Sequence, residues 1–409
     1  MDQGLGSVQA VGASGAGAVA KPYAPARAPR TRIPGRPHAP RAMTGTRHSV
    51  ALVHDYLTQR GGAERVVLSM LEAFPDAPVY TSFFEPSLTF PEFPAERVRT
   101  LPLDRLRPLR RRHRLALPLL AAAFSRLDVA ADVVICSSSG WAHGARTAGR
   151  KVVFCHTPAR WLYQQDVYLR GKPALACAAF AALRPVLMAW DRRAAASAHR
   201  YVVNSTAVRA RVHDLYGIEA ETLPPPYGVD PNGTQKPVEG LEPGFYLCVS
   251  RLLPYKNVDA VVAAFADLRC ERLVVVGDGP GEAEIRHLGG PNVRLLGTVS
   301  DEELRWLYSH SAGLVAAAYE DFGLTPLEAA AFGKPTAALR WGGFLDTLVE
   351  DATGVFFAQP RPDDIAVAVQ RLRSRRWSGP TLRAHAERFG EARFIERLRA
   401  LVDDVAVVR

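Results

Sequence analysis

Hydrophobic and polar residues along the first half of the chain follow two alternating patterns. The run Ser49–His54 (SVALVH) is typical of a short buried strand. Apolar residues at helical spacing follow this run, at Val66, Val67, Met70, Leu71 and Phe74. Further strand-like runs lie at Val133–Cys136, Lys151–Cys155 and Arg200–Val203. Strands that alternate with helices predict parallel βαβ units.

The same pattern restarts in the second half, after an interruption. Pro224–Pro226 and the polar segment Pro231–Pro243 break the alternation. Strand-like runs then return at Phe245–Ser250, Arg272–Val276, Val293–Leu296 and Gly313–Ala317. The chain is therefore predicted to form two α/β halves that are joined near residue 235. Ligands of open α/β sheets bind beyond the carboxyl ends of the strands, so we expect the chemistry on the loops there.

The composition is that of a large globular protein. At roughly 100–200 residues per domain, 409 residues predict two or more domains, and 48% are hydrophobic. The longest apolar stretch, Ala174–Trp190, is interrupted by Arg184 and Pro185, which argues against a membrane span. The five cysteines have no CxxC spacing; they are Cys136, Cys155, Cys177, Cys248 and Cys270. This pattern favours neither disulfides nor zinc, and it fits a reducing cytoplasm.

The net charge of +10 is concentrated at the start of the chain. Residues 1–47 contain seven Lys or Arg and one Asp, a net of +6, which leaves +4 for residues 48–409. This segment is rich in Ala, Gly and Pro, so we predict a disordered basic tail. It has no apolar core of a secretory signal. Translation could begin at Met1 or at Met43. Because the basic charge lies mainly in this tail, it is weak evidence for a nucleic-acid partner, and we do not expect one.

Two loops of the first half carry candidate ligand-binding residues. In HDYLTQRGGAE, Gly61 and Gly62 precede a predicted helix, where free amides attract anions. An ordinary tight turn would explain these glycines equally well. In CHTPARWLY, His156 directly follows a strand and would face the cleft, although a single histidine is more often structural.

Two loops of the second half carry charged candidates. Arg251 and Lys256 in SRLLPYKN would suit a diphosphate, unless they form only a solvated basic loop. In EDFGLTPLE, Glu320 and Glu328 lie eight positions apart. Thr325, Pro326 and Glu328 also match a helix capping box, which would make Glu328 structural. Glu320 has no such structural explanation.

Taken together, these residues resemble glycosyltransferase family 4, the retaining nucleotide-sugar enzymes of the GT-B fold. The resemblance covers about residues 48–405. It rests on E-x7-E with FGL-P, on SRLLPYKN, on Gly277-Asp278-Gly279-Pro280 and on Gly297-x-Val299-Ser300. VHDYLTQRGGAERV and CHTPARWLY resemble bacterial mannosyltransferases that use GDP-mannose.

The resemblance implies two Rossmann-like domains that face each other across a cleft. We expect an acceptor-side domain over residues 48–235 and a nucleotide-sugar domain over residues 236–390. A helix over residues 391–409 is expected to pack back toward the first domain.

The resemblance also implies a role for each matched residue. Glu320 and the backbone of Phe322, Gly323 and Leu324 would bind the donor sugar, and Glu328 the ribose. Arg251 and Lys256 would hold the diphosphate, and His156 would face the transferred sugar. Gly61 and Gly62 would approach donor phosphate or acceptor. Gly277, Asp278, Gly279 and Pro280 would lie near the base, and Val299 would also bind the substrate.

The expected reaction needs no metal cofactor. The sequence has no Asp-x-Asp pair, and Arg251 with Lys256 offers a metal-free way to stabilise the leaving diphosphate. A nucleotide-sugar epimerase, a phosphorylase or a non-catalytic sugar-nucleotide binder would share the architecture. An NAD dehydrogenase is disfavoured because Glu282 stands where the third glycine of its motif should fall.

The expected acceptor is a glycan, a glycolipid or a lipid-linked glycan. The segment Leu103–Leu120, here termed the Arg–Leu segment, contains six arginines and one aspartate among many leucines. Such a composition suits contact with an anionic membrane, although Pro108 and Pro118 prevent one continuous helix. We therefore expect a cytoplasmic protein with peripheral contact at the inner face of the cell membrane. A solvated helix packed on the first domain is the alternative.

Overall fold

A computed structural model describes residues 48–106, 108, 110, 117–163 and 174–407. These residues belong to one compact unit. The predicted basic tail lies outside them, and so does most of the middle of the Arg–Leu segment.

The first half forms a seven-stranded parallel sheet. Its strands are β1 (Val50–His54), β2 (Val79–Thr81), β3 (Val98–Thr100), β4 (Val133–Ser138), β5 (Arg150–Cys155), β6 (Arg200–Val203) and β7 (Glu221–Thr222). Its helices are α1 (Gly62–Ala73), α2 (Leu117–Ser125), α3 (Arg160–Tyr163), α4 (Ala174–Ala196) and α5 (Thr206–Tyr216). The strand order is β3-β2-β1-β4-β5-β6-β7. The helix predicted from Val66, Val67, Met70 and Leu71 is confirmed as α1, which buries all four side chains.

The second half forms a six-stranded parallel sheet. Its strands are β8 (Tyr246–Val249), β9 (Leu273–Val276), β10 (Val293–Gly297), β11 (Gly313–Ala316), β12 (Thr336–Leu339) and β13 (Gly354–Phe357). The helices of this half and of the C-terminus are α6 (Val258–Asp267), α7 (Glu282–Leu288), α8 (Asp301–His310), α9 (Thr325–Ala331), α10 (Phe344–Thr347), α11 (Pro362–Ser374), α12 (Gly379–Glu387) and α13 (Glu391–Val407). The order β10-β9-β8-β11-β12-β13 is that of a Rossmann-like sheet. The predicted α/β class with two such sheets is confirmed.

The C-terminal helix returns to the first half. Phe394, Leu398 and Val402 of α13 are buried in the same core as Val67 and Met70 of α1. This packing covers one face of the first sheet, and a separate core lies around the second sheet. Among the described residues, no helix has the length and apolarity needed to span a bilayer.

Several short strands were not predicted from the sequence. β2 and β3 have only three residues each, which is too short for a periodic signal. β12 reads Thr-Ala-Ala-Leu, a composition equally compatible with a helix. Both of its neighbours are strands, so pairing within the sheet decides its conformation.

Candidate active site

One ion pair joins two loops at the carboxyl edge of the second sheet. Lys256 ends the 3-10 turn Pro254–Lys256 behind β8, and Glu320 follows β11. β8 and β11 are paired parallel strands, so their following loops lie side by side. Lys256 Nζ contacts Glu320 Oε1, and the two side chains are 10% and 27% exposed. The fold therefore brings two predicted site residues, 64 positions apart, into direct contact.

Arg251, on the same loop as Lys256, keeps an exposed side chain. Its Nη2 lies 3.4 Å from the Tyr255 hydroxyl. Lys256 Nζ lies 5.2 Å from the centroid of the Tyr255 ring. Tyr255 thus stands between the two cations of this loop and contacts both.

Gly277 and Gly279 hold their loop against the loop that contains Arg251. Their φ angles are +131° and +152°, which glycine adopts without strain. A Cβ at Gly277 would overlap the Ser250 carbonyl, and one at Gly279 would lie 2.6 Å from the Leu252 carbonyl oxygen. Leu252 N also donates to Asp278 O at 2.8 Å. Both glycines are therefore required for the close backbone contact of the two loops.

The other substrate-binding residues predicted on these loops lie at the same edge. Asp278 and Pro280 are exposed, and Val299 is half-buried after β10. Asp278 Oδ2 accepts a hydrogen bond of 3.1 Å from Thr298 Oγ1. The loops after β9 and β10 are thus joined beside the loop after β8.

The residues after Glu320 form a loop that the first half of the chain touches. Phe322 is buried, and the ring of Phe344 packs where a side chain at Gly323 would lie. A Cβ at Gly62 would lie 3.5 Å from Leu324 Cδ1. Gly62 begins α1, so this helix of the first half meets the loop across the cleft.

Glu328 is not part of a capping box. Helix α9 begins at Thr325, its N-cap residue is Leu324, and no side chain caps it. The carboxylate of Glu328 instead accepts a hydrogen bond of 2.7 Å from the hydroxyl of buried Tyr308. Burial raises the pKa of Glu328, while Tyr308, Arg65 and the Gly228 backbone oppose that increase.

His156 lies at the carboxyl edge of the first sheet and is buried. Its Nε2 is 2.8 Å from Ser137 Oγ, which is itself 3.0 Å from His54 Nδ1. Burial and the nearby His54 lower the pKa of His156 to about 3, against the opposing effect of Asp321. His156 is therefore neutral at physiological pH, and two buried polar side chains connect it to β1.

Asp321 binds two arginines of the first half. Its Oδ2 contacts Arg160 of α3, and its Oδ1 lies 2.8 Å from Arg211 Nη1 of α5. Ser205 Oγ also donates to the Asp321 carbonyl at 2.5 Å. Burial favours a higher pKa for Asp321, but Arg160 and Arg211 outweigh it and lower the pKa. The two halves are thus ion-paired directly beside Glu320.

The matches to known families fall on the same two halves. Residues 60–232 match Glycosyltransferase Family 4, and residues 231–393 match Glycosyl transferases group 1. The two matched ranges meet between β7 and β8 and include every residue of the site described above except His54. Together the two models cover residues 60–393, so both halves of the chain match glycosyltransferase families.

Solved glycosyltransferases share its GT-B fold. The structure of Anabaena HepE in complex with UDP-glucose aligns with a TM-score of 0.62 at 16% identity, covering 87% of this chain and 100% of that protein. At this identity the likeness concerns the fold alone.

Curated relatives match part of the chain. D-inositol 3-phosphate glycosyltransferase 2 of Catenulispora acidiphila is 30% identical over 249 residues, which are 50% of this chain and 58% of the relative. A glycogen synthase of Thermus thermophilus is 31% identical over 199 residues, 42% of this chain and 45% of the relative. The chain thus spans less than two thirds of the length of these relatives.

Several residues of this site had no clear signal in the sequence. His54 and Ser137 look like ordinary strand ends, and Arg211 lies within a helix. Asp321 could have been found from its position next to Glu320. Among the described residues, no group of three or more His, Cys, Asp or Glu side chains is arranged to hold a metal ion.

We expect Asp321→Asn to destabilise the protein, because the amide leaves Arg160 and Arg211 without a carboxylate. Both arginines are partly exposed, at 31% and 20%, so solvent will compensate in part. The free energy of unfolding should fall by about 1–3 kcal/mol in urea titrations at pH 7. The matched change Asp404→Asn, in an exposed pair with Arg200, should cost within about 0.5 kcal/mol.

The effect of Asp321→Asn should also depend on pH. A carboxyl whose pKa is lowered by folding contributes its full stability above its unfolded pKa of about 4, and loses it as pH falls through the lower folded value. The difference between wild type and variant should therefore be constant from pH 8 to about pH 5 and shrink below that. Equal stability of the two proteins at pH 7 would contradict this role of Asp321.

Proposed function

We propose that this protein is a retaining glycosyltransferase that moves a hexose from a nucleotide diphosphate sugar to a glycan, glycolipid or lipid-linked acceptor. The contact of Lys256 with Glu320 at the carboxyl edge of the second sheet carries the proposal. It supplies a cation for a diphosphate and a carboxylate for sugar hydroxyls on adjacent loops.

Lys256 and Arg251 are assigned to the leaving group. Cleavage of the bond between the sugar and the phosphate leaves negative charge on the diphosphate, and fixed cations stabilise that charge most effectively. A lysine ammonium has three N–H donors, so Lys256 can keep Glu320 as one partner and still bind a phosphate oxygen. The exposed guanidinium of Arg251 is available for the second phosphate.

The carboxylates of E-x7-E are assigned to binding. Glu320 would accept hydrogen bonds from donor sugar hydroxyls, assisted by the backbone of Phe322, Gly323 and Leu324. Glu328, oriented by the Tyr308 hydroxyl, would bind the ribose. Neither carboxylate is assigned as a nucleophile.

Retention of configuration is assigned to attack from the face that the phosphate leaves. The bond from the anomeric carbon to the phosphate oxygen breaks, and a bond from that carbon to the acceptor oxygen forms on the same face. The departing phosphate takes the proton of the acceptor hydroxyl. His156, which is neutral, would contact the transferred sugar and is not required to take this proton.

GDP-mannose is the donor that we propose first, because the loops around Gly61, Gly62 and His156 resemble those of mannosyltransferases. A UDP-sugar is the alternative, supported by the similarity of the fold to a protein solved with UDP-glucose. Gly277–Pro280 are assigned to the neighbourhood of the base, and Val299 is assigned to substrate binding.

A panel of nucleotide sugars tests the donor. GDP-mannose should release nucleotide faster than UDP-glucose, UDP-galactose or UDP-N-acetylglucosamine, and it should raise the melting temperature most, since a ligand of the folded state stabilises it. Faster release from a UDP-sugar would show that the donor is a UDP-sugar, and the proposed transferase activity would stand. Neither release nor thermal stabilisation with any donor, from a folded sample, would contradict the proposed function.

Substitution of Lys256 tests the leaving-group assignment. Lys256→Ala should remove about 2–4 kcal/mol of transition-state stabilisation, which is measured as a decrease in kcat/KM. Lys236→Ala is the matched control, because Lys236 is an exposed lysine of the same half that pairs with Glu303 at the surface. EDTA should leave the wild-type rate within about twofold. Loss of turnover in EDTA that Mg²⁺ or Mn²⁺ restores would show that metal-free stabilisation is wrong.

We also propose that the acceptor is reached at an anionic membrane surface. At the described ends of the Arg–Leu segment, Leu106 and Leu119 are 52% and 50% exposed. Arg110, in contrast, is already paired with Asp104 at 2.9 Å and lies 3.6 Å from Glu85. The test therefore changes Arg111, Arg112 and Arg114, which lie outside the described residues.

Liposome co-sedimentation tests this surface. Vesicles with anionic lipid should bind the protein at low salt and release it at high salt, since each basic residue contributes about 1 kcal/mol that salt screens. Changing Arg111, Arg112 and Arg114 to Ser should reduce binding. The same charge removed by changing Arg373, Arg375 and Arg376 to Ser should not. Full recovery of wild type in the supernatant would favour a soluble acceptor.

A further inference from the structure

A row of four buried polar side chains leads from helix α1 to His156. Its members are Glu64, His54, Ser137 and His156, which are 1%, 2%, 1% and 8% exposed. In the sheet, His54 of β1 lies opposite Ser137 of β4, and Ser137 lies opposite Phe154 of β5. His156 follows β5 by one position, so three neighbouring strands place the row at one edge.

The partners of His54 determine where its proton lies. His54 Nδ1 is 3.1 Å from the Ser137 carbonyl oxygen and 3.0 Å from Ser137 Oγ. A carbonyl oxygen only accepts hydrogen bonds, so His54 Nδ1 carries a hydrogen. Ser137 Oγ can accept from this group, which leaves the Ser137 hydroxyl hydrogen free to point elsewhere.

The Ser137 hydroxyl can then donate its hydrogen to His156. Ser137 Oγ lies 2.8 Å from His156 Nε2, the distance of a good hydrogen bond. When Ser137 donates, His156 Nε2 must be the nitrogen without a hydrogen. A neutral imidazole has one N–H, which then lies on Nδ1 of His156.

Glu64 completes the row at the other end. Its Oε1 lies 3.8 Å from His54 Nε2 and accepts a hydrogen bond of 2.9 Å from Gln59 Nε2. A Cβ at Gly61 would collide with the Glu64 carboxylate, so glycine there leaves room for it. Burial alone would lower the pKa of His54, but Glu64 and Asp55 outweigh it and raise the pKa.

We propose that Ser137, His54 and Glu64 are positioning residues that fix His156 in the tautomer protonated on Nδ1. His156 then offers an N–H donor to the transferred sugar instead of a basic nitrogen. The charged groups that bear on this row are Glu64, Asp55 and Asp321. The role in catalysis rests on the proposed function, whereas the tautomer does not.

The tautomer is measurable by ¹⁵N NMR of histidine-labelled protein. His156→Gln assigns the resonances of His156 among the eleven histidines. In wild type, Nε2 should have the shift of an unprotonated nitrogen and Nδ1 that of an N–H, without change from pH 6 to pH 8. Ser137→Ala removes the donor and should shift His156 toward the other tautomer.

Ser138→Ala is the matched control for Ser137→Ala. Ser138 is the next residue of β4 and is equally buried, but its Oγ is 2.8 Å from His143 Nδ1, on the other side of the strand. Ser138→Ala also removes a serine hydroxyl, but it should leave the tautomer of His156 unchanged. With the best donor and acceptor, Ser137→Ala should lower kcat about tenfold, the effect of one lost orienting hydrogen bond, at unchanged KM for the donor. Ser137→Thr keeps the hydroxyl and should restore most of kcat.

Several outcomes separate this proposal from the proposed function. A wild-type His156 protonated on Nε2 would overturn it without any variant. An unchanged tautomer in folded Ser137→Ala would also overturn it, whatever the activity. If the protein shows the expected tautomer but turns over no nucleotide sugar, the effect of Ser137 on His156 stands. Only the proposed transferase activity is then contradicted.

Discussion

Two consecutive carboxylates set the geometry on which the cleft depends. Glu320 pairs with Lys256 of its own half, whereas Asp321 pairs with Arg160 and Arg211 of the other half. A buried carboxylate needs such partners, because removal from water without them is very costly. The second pairing therefore constrains where the first half lies relative to Glu320, and with it the loop that contains His156.

The loops around these carboxylates approach one another through their backbones. The loop after β9 packs on the loop after β8 at Gly277 and Gly279, and Gly343 N donates to the Glu320 carbonyl at 3.0 Å. Side chains would hold these loops farther apart. This close packing of the loops holds exposed Arg251 and half-buried Glu320 in fixed positions. Preorganised charge stabilisation requires such fixed positions.

Two adjacent serines at the end of β4 belong to two separate hydrogen-bond networks on opposite sides of the strand. Ser137 contacts His54 and His156, and Ser138 contacts His143. His143 in turn lies 3.0 Å from Asp191, which also accepts hydrogen bonds from the hydroxyls of Tyr163 and Tyr216. Side chains alternate in a strand, so adjacent serines necessarily separate in this way. The system around Asp191 joins α3, α4 and α5, and we regard it as support for the first half.

The α/β class, the two sheets and the position of α1 could be predicted from the sequence, because these features depend on local periodicity. The sequence also indicated the loops of the candidate site, since strand ends and glycines are visible in a linear pattern. It could not assign β12, whose residues suit either a helix or a strand, nor the partner of Glu328, for which a local capping pattern was misleading.

Which side chains meet could be seen only in the folded protein. Arg211 reaches Asp321 across 110 positions, and His54 reaches Ser137 across 83. No local pattern encodes such contacts, because they follow from strand order, register and the approach of the two halves. The charge state and tautomer of His156 belong to this second class, since burial and three neighbouring strands fix them rather than any feature of its own segment.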